Sequence, residues 1–217
     1  MKNLLHISCA LLCTLIIPEQ GLSQVSNYAF TETTGTYQAI ILDNSVASWS
    51  GTISSNSSNS QTISTPFEFC LGGNTITANN DLTMFHDGWA VFGNPSTTQA
   101  TRTAPLTYFN NVLSIFGTDL ITTGTSSYGA RVEGSAPNRV LVMQWGQLYF
   151  GDSNQSPFIT TNYWKRAVNG HSNDRLHFQI RLYETTNVIE FCYLISNPRT
   201  TSNGNLSNDV QVGLRGA

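Results

Sequence analysis

The clearest pattern in the chain lies between Asp174 and Ile195. Leu176, Phe178, Ile180 and Leu182 alternate with His177, Gln179, Arg181 and Tyr183, a period of two with one apolar face. Glu184 to Asn187 supplies turn residues, and Ile189, Phe191 and Tyr193 resume the alternation with Glu190 and Cys192 opposite them. This predicts a hairpin of two long strands, one face dry and one wet. A second long strand is predicted over "NRVLVMQWGQLYF", where Leu141, Met143 and Trp145 oppose Val140, Val142 and Gln144. A Ser135–Asn138 turn connects it to a strand in "SYGARVEG".

Elsewhere the runs are shorter. "YAFTETTGTYQAIIL" predicts two short strands around Gly35, and "SWSGTISSNSSNSQTIS" reads as an exposed Ser/Asn loop with β-compatible flanks. "PFEFCLGG", "TITANNDLTMF" and "DGWAVFG" follow, with Asp87-Gly88 at a tight reversal, then "NNVLSIFGTDLI" and a final "VQVGL". Helical periodicity is nearly absent. About ten short to medium strands without intervening helices predict an all-β fold, an antiparallel two-sheet β-sandwich of jelly-roll-like form.

The N-terminus changes the picture of where this fold resides. Lys2 precedes an apolar run from Leu4 to Ile17, Pro18 ends it, and Gly21 and Ser23 lie just ahead of a cut before Gln24. That is the layout of a cleaved secretory signal over residues 1–23, leaving 24–217 as one domain. The apolar run is too short for a bilayer, which needs about 20 residues, so no transmembrane span is expected.

Composition agrees with an exported protein. Charged residues make up 11% of the chain, against a usual value of about 25%, and the formal net charge is −3. The polar surface must then come from Ser, Thr and Asn. No Lys/Arg cluster exists to capture a phosphate backbone, so a nucleic-acid partner is excluded. Asn56 and Asn205 fit the Asn-x-Ser glycan acceptor pattern.

Candidate chemistry is sparse. "PFEFC" and "VIEFC" repeat Glu-Phe-Cys at the two ends of the domain. Phe67 and Phe69, like Ile189 and Phe191, share one face, so Glu68, Cys70, Glu190 and Cys192 take the other. Cys70 and Cys192 are the only cysteines left after signal removal: an oxidising compartment is compatible with one disulfide between them, or with two free thiols. Glu68 and Glu190 as acid and base would make a sandwich glycoside hydrolase, yet each is an isolated Glu on a wet strand face. His86 beside Asp87 fits a metal-ligand or base-orienting pair, but Asp before Gly is ordinary reversal chemistry and the turn is preferred. No Gly-x-Ser-x-Gly nucleophile motif occurs, and no residue is assigned a catalytic role.

Two binding features remain. Asp81, Asp87, Asp119, Asp152 and Asp174 lie at strand ends near Asn or Gly, where a structural calcium would find oxygen ligands; no cofactor is otherwise implied. Among the tryptophans, Trp145 and Trp89 are in phase with core residues. Trp164 beside Tyr163 is the candidate for ligand contact, such as sugar stacking.

"YAFTETTGTY", "DGWAVFG", "GSAPNRVLVMQW", "FQIRLYETTNVIEF" and "VQVGLRGA" together resemble a β-rich domain frequent in large secreted and surface proteins of Bacteroidetes. "GW…FG" and "FQIRLYETTNVIEF" are also similar, more distantly, to the nidogen-type extracellular domain. The resemblance implies a module set beside adhesion repeats and a type 9 secretion sorting domain, with no catalytic residues to carry over. It places Asp119 at the family's acidic position after a mid-domain strand, with a structural role. Here the sequence stops at Ala217 without a sorting domain, which is expected of a stand-alone secreted copy or a truncated gene. The function expected is a non-catalytic secreted or surface module for adhesion or surface assembly, its partner a surface glycan or an extracellular protein. A carbohydrate-binding module is the alternative.

Overall fold

The computed structural model describes residues 28–40, 48–51, 59–98, 104–122, 126–146, 164–166, 175–196 and 210–216. In chain order the strands are β1 (Ser48–Gly51), β2 (Ser60–Ser64), β3 (Phe69–Leu71), β4 (Asn74–Ile76), β5 (Asp81–Phe85) and β6 (Trp89–Phe92). A helical turn, α1 (Pro105–Tyr108), precedes β7 (Val112–Gly117), β8 (Leu120–Thr122), β9 (Ser126–Glu133) and β10 (Val140–Gly146). The last are β11 (Trp164–Arg166), β12 (Arg175–Tyr183), β13 (Ile189–Ser196) and β14 (Gln211–Arg215).

All strand pairs are antiparallel. One sheet runs β1-β9-β10-β12-β11-β8, with β13 also paired to β12. The other runs β14-β7-β6-β5-β2, and β3-β4 forms a separate hairpin. This is the all-β sandwich that the alternation predicted.

Register explains the core. Directly opposed residues share a face, so Leu141, Met143 and Trp145 of β10 line up with Leu182, Ile180 and Phe178 of β12 and, on the other side, with Val132, Ala130 and Tyr128 of β9. Leu82, Met84, Ala90, Leu113 and Ile115 from the second sheet close the same core. Burying a side chain of this size fully is worth about 1.5–3 kcal/mol. The Trp145 indole also donates to the Phe85 carbonyl at 2.8 Å, a polar tie between the sheets.

Each sheet is covered on its outer face too. On the second sheet, Trp89 stacks on Phe85 at 3.9 Å and on Phe109, after α1, at 5.4 Å. On the first, residues Tyr37–Ile40 lie across β10 and β12. The Gln144 side chain accepts from Ile40 N at 2.9 Å and donates to Ile40 O at 3.1 Å. Gln179, directly opposite Gln144, donates to Gln144 Oε1 at 2.6 Å and to Gln38 O at 2.8 Å. An amide offers both a donor and an acceptor, so a side chain here does the work of a strand edge. Ile40 packs on Val142 beneath this strap.

Three expectations change. Residues 28–40 carry no strand, where two were expected around Gly35, and their last four residues form this strap. The Ser/Asn stretch contributes β1 and β2 at its two ends, while residues 52–58 lie outside the described set. The wet face of β12 is not wet: Gln179 is fully buried and His177 is 7% exposed. Alternation reports which side chains are polar; it does not report whether another segment crosses over them.

Candidate functional site

The His86-Asp87 pair sits in the turn between β5 and β6, as its Asp-Gly signature predicted, but it is completely buried. His86 Nε2 lies 2.9 Å from Asp87 Oδ1, and Nδ1 lies 2.9 Å from the Asn59 carbonyl. Both ring nitrogens lie within hydrogen-bond distance of an oxygen. Asp87 Oδ1 also accepts from Leu120 N at 3.2 Å. Gly88, at φ +80°, lets the chain pass close to Phe116: a Cβ there would stand 2.6 Å from the Phe116 carbonyl oxygen. Its own carbonyl accepts from Ile115 N and Phe116 N. These groups lock a turn to its neighbours, with no solvent-facing atom for a substrate.

The two Glu-Phe-Cys segments belong to different sheets. Cys70 on β3 is opposite Thr75, and Cys192 on β13 is opposite Gln179; both are free thiols. The disulfide weighed for Cys70 and Cys192 is therefore not what the structure contains. What joins the regions is a hydrogen bond from Cys70 N to Asn187 Oδ1 at 2.8 Å. Burial, with the Glu190 carboxylate nearby, pushes the Cys192 thiol up to about 11, so it is not a ready nucleophile. Glu68 is exposed before β3. Glu190 accepts from the Tyr183 hydroxyl at 2.7 Å and lies 3.9 Å from Arg181.

Of the aromatic candidates, Trp164 opens β11, its backbone paired with Thr122 and Leu176, whereas Tyr163 lies outside the described residues. Among the described residues no three His, Cys, Asp or Glu side chains converge as a metal site. Of the aspartates considered for calcium, Asp87 is in its ion pair, Asp119 is half-buried between β7 and β8, and Asp152 and Asp174 lie outside the described residues.

Asp81 lies in a different setting, an open groove of about 630 Å³. β4 supplies Asn74, Thr75 and Ile76, and the turn before β5 supplies Asn79 and Asn80. Phe92 and Gly93 from the end of β6, and Asn111 ahead of β7, complete it. Asn79 and Asn111 take left-handed backbones, φ +67° and +55°, which asparagine tolerates better than most side chains. Backbone bonds fix these walls: Asn79 N to Thr65 O and Thr65 N to Asn80 O at 2.8 Å, Gly93 N to Asp81 O at 2.7 Å, and Phe92 N to Asn111 O at 3.1 Å. Asn74 donates to the Asn111 amide oxygen at 3.4 Å. Among the described residues no group pairs with the exposed Asp81 carboxylate. Sequence reasoning named Asp81 only among the calcium candidates and missed the asparagines; the available signal was three amide or acid side chains in a row, Asn79 to Asp81.

The described residues form an antiparallel β-sandwich with an open, amide-lined groove at one edge. The chain belongs to the NIDO-related family, whose model matches residues 27–217. This agrees with the nidogen-like resemblance of "GW…FG" and "FQIRLYETTNVIEF". No curated protein and no solved structure matches the chain significantly.

Proposed function

We propose that this chain is a non-catalytic extracellular module that attaches its bearer to a surface or matrix partner. Membership of the NIDO-related family supports the reading, as does the secretory layout of residues 1–23. The observation that carries it is the use made of the reactive side chains. His86 and Asp87 are sealed in a turn, Glu190 is held by Tyr183, and Cys192 is half-buried with a raised thiol. Ser, Thr and Asn recur through the chain, and with charged residues at 11% they make an uncharged polar surface the main one offered to a partner. Among the described residues no helix is long and apolar enough to cross a membrane. In a Bacteroidetes host, export through the type 9 route belongs to the same reading.

The test is location and attachment together. The full chain, expressed in its host, should appear cleaved near Gln24 in the medium or on intact cells, where external protease removes it. Deleting the gene should lower adhesion or surface assembly. An uncleaved product confined to the cytosol would end this reading.

A further inference from the structure

We infer that the groove between β4, the start of β5 and the end of β6 binds a neutral saccharide. This rests on the reading of the chain as an extracellular attachment module and gives that module a ligand class. Sugar hydroxyls both donate and accept, and so do amides, so the Asn79 and Asn111 side chains match a hydroxyl in either sense. Asp81 adds an exposed carboxylate that accepts charge-assisted bonds from one or two hydroxyls. The half-buried Phe92 gives the groove apolar area for the C–H face of a sugar ring.

Charge selects among polar ligands. Among the described residues no Lys or Arg lines the groove, so a phosphate, sulfate or uronate would be desolvated there beside Asp81 with no counter-charge from them. A hard cation such as calcium takes six to eight oxygens, about the number a built cage assembles. Here one carboxylate is present, and the Asp81 and Asn111 carbonyls already accept backbone bonds from Gly93 and Phe92. The volume falls within the range of about 300–1,000 Å³ usual for small-molecule sites. The walls are held by backbone bonds before any ligand arrives, which keeps the ordering cost of binding low.

The experiment is calorimetric titration of the mature full-length chain with neutral gluco-, manno-, galacto- and xylo-oligosaccharides, beside uronate and sulfated ones, with and without EDTA. One neutral class should bind, with or without EDTA. Asp81→Ala should weaken it about tenfold or more, and Asn111→Gly, which keeps the left-handed backbone, about threefold. Circular dichroism and Tm of both variants establish that they fold. The inference is overturned by no neutral sugar binding at millimolar concentration, by binding of acidic glycans or peptide alone, or by loss of binding in EDTA. Binding retained when Asp81→Ala and Asn111→Gly are combined but lost in Trp164→Ala would overturn it too, returning the ligand to the Tyr163–Trp164 region. A chain that reaches the surface and promotes adhesion without binding sugar defeats this inference alone and leaves the attachment reading standing.

Discussion

Two hairpin turns of this sandwich each hold an acid beside a base, and they use the pair in opposite ways. In the β5–β6 turn, His86 and Asp87 have side chains 0% and 1% exposed. At the β12–β13 turn, Glu184 receives Arg139 from across the sheet at 2.6 Å, with further bonds from Arg139 Nε and N, at the rim. The same class of interaction is worth little where water competes. Where water is excluded, breaking it is costly, because an unpaired charge stays inside. The difference teaches that both turns are fastened by a polar pair, but only in the buried one does that pair have no water to fall back on.

The largest effect that sharpens this contrast is expected at Asp87. Asp87→Ala removes the oxygen that faces His86 Nε2 and accepts from the Leu120 amide, and should cost about 3–5 kcal/mol in urea unfolding. A loss under about 1 kcal/mol would erase the distinction between the turns. Next comes Gly88→Ala, which needs a left-handed backbone and pushes a methyl against the Phe116 carbonyl; a loss of about 1–3 kcal/mol is expected from the same measurement. Glu184→Gln should have the smallest effect, lowering Tm at pH 7 by no more than about 2 °C.

That last pair has a defined acid limit. Hydrogen bonds from Arg139 hold the Glu184 carboxyl down at about 2, below its ordinary 4.5. A carboxyl lowered by folding stabilises fully above the unfolded value and loses that contribution as pH falls toward the folded one. The small Tm gap between wild type and Glu184→Gln should therefore be constant above about pH 5 and close between pH 4.5 and 2. A gap that widened on acidification would contradict the assignment.

Much of the fold was legible because period-two alternation is hard to mistake. Leu176 to Leu182, the Glu184–Asn187 turn and the strand through Trp145 are where the pattern put them. The strap over Gln144 and Gln179 was not legible, because its hold is two glutamine side chains reaching residues 104 and 141 positions away, and local periodicity carries no such information. The twin Glu-Phe-Cys segments misled for the same reason: a shared pattern in two strands does not make them neighbours. His86 and Asp87 were read correctly as a turn, but its burial depends on Asn59 and Leu120, two other parts of the chain. The groove was half legible, since asparagines mark turns as readily as they mark ligands, and only the fold brings Asn74 beside Asn111.

The glutamine-held strap also sets a timetable. Tyr37 to Ile40 leave the ribosome early, yet their anchor at Gln179 is among the last parts to appear. Contacts this distant in sequence close slowly. A nascent chain must wait until Gln179 has emerged before Tyr37 to Ile40 can settle against it.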